Sequence, residues 1–134
     1  MGPLLLAGIP VSDLAAAIDW YGRLFGDRKP FIPNDTEAVW DLAEDRSVYV
    51  ALDPTRAGRA MVSLYVDDLD SRLELAASGD VHPATSETYE NGVRRVVFRD
   101  ADGNEFVLGT MPAATPDGDD GTVALFAGAP AETA

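Results

Sequence analysis

The sequence predicts an α+β protein built from two tandem copies of one strand–helix–strands unit. Three observations predict it. Val66-Asp67-Asp68-Leu69 repeats Val11-Ser12-Asp13-Leu14 at an offset of 55 residues, and the same offset carries Leu6 to Met61, Ile9 to Leu64 and Leu52 to Val107. Each copy opens with an apolar run and passes into a helical pattern. The second copy closes on Phe98-Arg99-Asp100-Ala101-Asp102-Gly103-Asn104-Glu105-Phe106-Val107-Leu108, where apolar runs flank an Asp/Gly/Asn turn and form a hairpin, with a bulge expected at Gly103. One copy cannot bury its sheet face alone, whereas two can share a core.

The elements follow in order. Leu4 to Val11 carries no charge and reads as a strand covered on both faces, with Pro10 near its end. Ser12 is the expected N-cap, and Asp13 in the first turn suits the helix dipole. Leu14, Ala17, Ile18, Tyr21, Leu24 and Phe25 then recur at the spacing of one buried helical face, and Gly26 ends the helix. Trp20 lies off that stripe and reads as edge packing. Pro30, Pro33 and Asn34-Asp35 are turn signals; Ala38 to Leu42 and Ser47 to Leu52 read as strands around the polar turn Glu44-Asp45-Arg46. Asp53 to Arg59 is a loop.

The pattern then restarts. Ala60 to Val66 is a strand and Asp67 the expected N-cap. Leu69, Leu73 and Ala76 mark a helix that Gly79 closes. Val81 to Ser86 is expected to give the next strand, and Tyr89-Glu90-Asn91-Gly92 a turn. Residues 1–110 thus form one domain of two modules, about 4–54 and 60–110. Residues 111–134 are a Pro/Gly/Asp-rich linker with a short apolar run, Thr122 to Phe126, expected as an extra strand.

Composition narrows the function. There are 134 residues, 23 acids against 10 bases and a net charge of −13, which disfavours a nucleic-acid partner. Cysteine is absent, which removes disulfides and thiolate chemistry and fits a cytoplasmic protein. No apolar run is long enough for a membrane span. His82 is the only histidine, so no Ser/His/Asp set arises, and no phosphate-cradling glycine motif occurs.

The strand ending Val11-x-Asp13-Leu14, the helix with Trp20-Tyr21 and Phe25-Gly26, the second copy and the Asp100 to Asn104 turn together resemble the vicinal oxygen chelate superfamily. This is also called the glyoxalase/bleomycin resistance protein/dioxygenase family, and the resemblance covers about residues 4–110. It implies paired βαβββ modules whose mixed sheet forms a cup, with the helices packed outside. It also implies a homodimer, since such cups are often completed across subunits. Metal-dependent members place ligands in the first strand of each module, seven residues before the Asp, and in a last strand, three after the Asn. Those positions here are Leu6, Met61, Val107 and, under the repeat offset, Leu52. All four are apolar, and divalent cations need oxygen, imidazole or thiolate donors.

The resulting expectation is a metal-independent small-molecule binder with no cofactor and no catalytic residue. Its ligand, a drug or metabolite, is expected to be cationic or aromatic, given the acidity and aromatic walls. The expected cup residues are Leu6, Trp40, Val50, Leu52, Met61, Ser63, Tyr65, Phe98 and Val107, with Leu4 sharing their parity. Arg94, Arg95 and Arg99 favour an acidic ligand if they point inward; pairing of Arg99 with Glu105 is the alternative. Two other readings stand beside this one: a metal-dependent lyase or dioxygenase with displaced ligands among Asp53, Glu105 and His82, and a structural or regulatory dimer with a filled cup.

Overall fold

Two mixed sheets share one core in the computed structural model, which describes residues 2–110 and 130–133. The first module runs β1 (Leu5–Val11), α1 (Leu14–Leu24), β2 (Phe31–Asn34), β3 (Glu37–Ala43) and β4 (Arg46–Leu52). Its sheet order is β1-β4-β3-β2, with β1 parallel to β4 and the other pairs antiparallel. The second module runs β5 (Met61–Val66), α2 (Leu69–Ser78), β6 (Thr85–Tyr89), β7 (Arg94–Arg99) and β8 (Glu105–Thr110). Its order is β5-β8-β7-β6, and β9 (Pro130–Thr133) adds antiparallel to β6 at the edge. The tandem βαβββ expectation therefore holds. The apolar run Thr122 to Phe126 lies outside the described residues.

Local chemistry sets the boundaries. Asp13, not Ser12, caps α1: its carboxylate accepts from the Ala16 backbone N–H at 3.0 Å. Ser12 is taken by Asp102, whose carboxylate accepts from the Ser12 N–H and hydroxyl. Gly26 follows the helix at φ +88°, the left-handed conformation glycine adopts without a Cβ penalty. Asp68 rather than Asp67 occupies the α2 N-cap, yet its carboxylate bonds Arg72 at 2.7 Å instead of the helix. The strand expected at Val81 to Ser86 begins later, at Thr85, because Val81 turns into the core beside the helix end. The short strand β2 was hidden by Pro33, which an edge strand tolerates.

The helix-facing side chains of both sheets meet in one cluster. Tyr21, Trp40, Phe98 and Phe106 are fully buried there. Phe25 of the first module lies 5.6 Å from Trp40 and 5.2 Å from Phe106, both edge-on, so one ring bridges the two sheets. Such aromatic pairs add ~0.5–1.5 kcal/mol each beyond their burial.

The turn that closes the second module ties this core to the first. The Asp100 carboxylate accepts from the Tyr21 hydroxyl at 2.7 Å, from Asn104 Nδ2, and from the backbone N–H groups of Asp102 and Asn104. Asn104 is completely buried; its Nδ2 also donates to the Pro10 carbonyl, while its Oδ1 accepts from the Gly58 and Ala60 N–H groups. Three chain segments converge on one turn, and each buried polar atom has a partner.

Candidate functional site

The pairing register decides which side chains share the face turned away from the helices. In the first sheet Leu6 pairs with Ser47 and Gly8 with Tyr49, while Ile9 pairs with Val50 and Val11 with Leu52. Ile9, Val11 and Val50 belong to the shared core. Since successive residues of a strand point to opposite faces, Leu6, Gly8, Ser47 and Tyr49 lie on the helix-free side. In the second sheet Met61 pairs with Glu105, Ser63 with Val107 and Tyr65 with Gly109 on the equivalent side.

Of the nine expected cup residues, Leu6, Met61, Ser63, Tyr65 and Val107 share this kind of face. Trp40, Val50 and Phe98 do not: they are core side chains beneath the helices, and the Trp40 indole N–H donates to the Arg28 carbonyl at 3.0 Å. Leu52 lies on the helix side as well, opposite Val11. For Val50 and Leu52 the reason is the register. Leu6 pairs with Ser47 and its counterpart Met61 pairs with Glu105, so the last strands stand 58 residues apart while the first stand 55 apart. Three extra residues precede β8, and an odd shift inverts the face of every side chain in a strand. The counterpart of Val107 is therefore Tyr49, not Leu52.

The two helix-free faces differ in character. The first exposes Leu6 (48 %) and Phe31 (69 %), with Phe31 opposite Val39 and Val39 opposite Tyr49. Its polar groups are Glu37, opposite Ala51, and Asp41, whose carboxylate accepts from the Ser47 hydroxyl at 2.5 Å. On the second face Val97 and Val107 are buried although they lie outside the main core cluster. Ion pairs flank them: Arg99 with Glu105 at 2.9 Å, and Arg95 with Glu87 at 4.0 Å. Arg94 points the other way, to Asp70 at 3.0 Å. The inward arginines thus each have a carboxylate partner. Burial pushes the Tyr65 hydroxyl above its ordinary pKa, and the neighbouring Arg95 opposes the shift.

Each face also holds a tyrosine laid over a glycine of the adjacent strand. A Cβ on Gly8 would stand 2.7 Å from the Tyr49 ring, and one on Gly109 would stand 2.3 Å from the Tyr65 ring. The glycines leave the room in which the rings lie down. Tyr49, Phe31, Asp41 and Glu87 are face residues that sequence reasoning did not assign.

A divalent metal finds no donor set in this arrangement. Among the described residues no group of three or more His, Asp or Glu side chains is placed to hold an ion. The displaced candidates are scattered and engaged elsewhere: Asp53 with Arg56, Glu105 with Arg99, and exposed His82 with Asp80 at 3.0 Å. The described residues at these positions do not fit a divalent metal.

A family model described as the glyoxalase/bleomycin resistance protein/dioxygenase superfamily matches residues 4–108. A solved glyoxalase/bleomycin resistance protein from Catenulispora acidiphila is 46% identical, with a TM-score of 0.80 over 83% of this chain and 100% of that one. A bleomycin-binding protein solved with bleomycin shares the fold at 18% identity, with a TM-score of 0.66 over 81% of this chain and 98% of that one. Lactoylglutathione lyase from Agrobacterium tumefaciens does so at 16% identity and a TM-score of 0.66, over 82% and 94% of the two chains. No curated protein sequence matches.

Proposed function

This chain belongs to the glyoxalase/bleomycin resistance protein/dioxygenase superfamily, and we propose that it is a metal-independent member that binds a small molecule on the helix-free faces of its sheets. The observation that carries the reading is the chemistry at the four positions where metal-dependent relatives hold their ion. They are Leu6, Tyr49, Met61 and Val107, of which none is a carboxylate or imidazole. Apolar and aromatic side chains at such positions suit a ligand held by burial and stacking, oriented by a few polar groups. Leu6, Phe31 and Met61 supply exposed apolar surface, and Tyr49 and Tyr65 supply rings. Glu37, Asp41 and a net charge of −13 favour a cationic or aromatic ligand, drug or metabolite. A relative of this fold was solved with bleomycin bound, which supports small-molecule binding.

In the same proposal the protein is a cytoplasmic homodimer. A second copy covers the exposed apolar side chains of both faces, and neither nucleic acid nor membrane is a partner. Among the described residues no helix is long and apolar enough to cross a membrane.

A thermal-shift screen of cationic antibiotics, aromatic acids and divalent metals tests this. A specific ligand at 100 times its Kd adds ~2.7 kcal/mol of stability. Tight stoichiometric retention of a divalent metal by the purified protein would defeat the reading. A second reading, a structural dimer with its cup filled, draws on the burial of Val97 and Val107. A screen in which no compound shifts unfolding, with a dimer in sedimentation, would favour it.

A further inference from the structure

A cavity of about 630 Å³ lies between the two sheets, with Arg72 of α2 on its border. Its walls are mainly helix-facing side chains, Leu5, Ala7, Leu42, Val48, Val62 and Leu64, and Ser47, Ser63 and Tyr65 of the helix-free faces border it as well. Most of these are half-buried, and Leu5 is 68 % exposed. The volume is that of a small-molecule pocket, and its walls are apolar surface still in contact with water.

Four charged residues border it: Arg46, Asp67, Asp68 and Arg72. Asp68 and Arg72 neutralise each other at 2.7 Å. Arg46 pairs with Leu5 in the sheet register, which sends its side chain to the cavity side. Among the described residues it has no ion-pair partner, and its guanidinium makes only a 3.4 Å contact to the Glu44 carbonyl. In a chain with 23 acids and 10 bases, a guanidinium left without a carboxylate at the mouth of an apolar cavity is an open valence. Asp67 on this rim, and Glu44 and Asp45 around an adjoining depression, weaken the field for any anion. Only direct contact with the guanidinium overcomes them, and that contact favours a flat, bidentate acceptor over a diffuse charge.

We infer that this inter-module cavity is a second ligand site, for an amphipathic monocarboxylate whose acid group pairs with Arg46 and whose apolar body lies against Ala7, Val48, Val62 and Leu64. The site borders the helix-free faces at Ser47, Ser63 and Tyr65, but Leu6, Val97 and Val107 of those faces lie outside it. A ligand here touches both modules at once and holds them in one relative position.

Decanoate is the probe, titrated calorimetrically into the intact protein, with decylammonium as its charge-reversed counterpart. Saturable one-to-one binding of decanoate is expected, weakened about tenfold or more in Arg46→Gln by loss of the charge-assisted pair. Methyl NMR shifts should centre on Leu5, Val48, Val62 and Leu64 and not on Leu6, Val97 and Val107. The methyl map locates the ligand without any substitution. No binding at about 1 mM decanoate, a Kd far weaker than such a pocket should give, overturns the inference. So does equal binding of decylammonium, unchanged affinity in Arg46→Gln, or a shift map on the helix-free faces. A shift map on the helix-free faces would put the acid where the proposed function places its ligand; the other outcomes leave that function untouched.

Discussion

The Tyr21 hydroxyl donates to the Asp100 carboxylate at 2.7 Å, joining the first helix to the turn that closes the second module across 79 residues of sequence. Both groups are buried. A hydrogen bond to a charged group contributes ~1.5–3 kcal/mol, so Tyr21→Phe should lose about that much in urea unfolding. Asp100→Ala should cost more, because it strips the partner from Tyr21, Asn104 and two backbone N–H groups together. A Tyr21→Phe cost equal to the Asp100→Ala cost would mean that the turn does not depend on the carboxylate.

The same pair sets an alkaline limit. Burial first, and the Asp100 charge second, push the Tyr21 hydroxyl well above its ordinary pKa of 10.0. Above pH 10 the unfolded chain releases this proton and the folded chain keeps it, so stability is intact below that pH and falls as pH rises. One such group steepens the fall by ~1.4 kcal/mol per pH unit. Urea unfolding between pH 9 and 11 should show a slope that becomes shallower in Tyr21→Phe, by about one proton near pH 11; an identical slope would place the Tyr21 proton elsewhere. Tyr65, also raised, keeps part of the slope in both proteins.

Asn104 should be the least replaceable polar residue of the turn. Its side chain donates to Pro10 and Asp100 and accepts from Gly58 and Ala60, with no exposure to water. Asn104→Ala leaves buried donors and acceptors without partners at ~1–3 kcal/mol each, and should lower stability by ~3 kcal/mol or more. Chemical denaturation measures it, and a loss under ~1 kcal/mol would show that water replaces the amide.

The tyrosine-over-glycine pairs should be non-additive. The three nearest neighbours of a Cβ on Gly8 are all atoms of the Tyr49 side chain. Gly8→Ala should therefore cost ~1 kcal/mol alone and nearly nothing in a Tyr49→Ala background. At Gly109 a Cβ also meets the Arg94 carbonyl at 2.8 Å. Backbone cannot swing aside as a ring can, so Gly109→Ala should remain costly after Tyr65→Ala. A double-mutant cycle read by thermal unfolding separates the two sites.

Much of this protein was legible in one dimension. The repeat of Val11-Ser12-Asp13-Leu14 at Val66, the apolar stripe from Leu14 to Phe25 and the Asp100 to Asn104 turn predict two modules, two helices and a closing hairpin. These signals are local: periodicity, caps and turn chemistry act over a few residues and survive without tertiary context. The apolar residues at the family's metal positions in β1, β5 and β8 could be read the same way. Pairing could not. Which face of β4 is open depends on its hydrogen-bond register with β1, a contact between residues some 40 positions apart, and three extra residues before β8 break the repeat that seemed to supply it. So Trp40, Val50 and Phe98 went to the core, and Tyr49 took the place assigned to Leu52. Local pattern specifies the two modules and puts Leu6 and Met61 where first-strand metal donors are expected. Which aromatics stay accessible depends on strand pairing, because a strand's two faces are identical in sequence spacing until a neighbour distinguishes them.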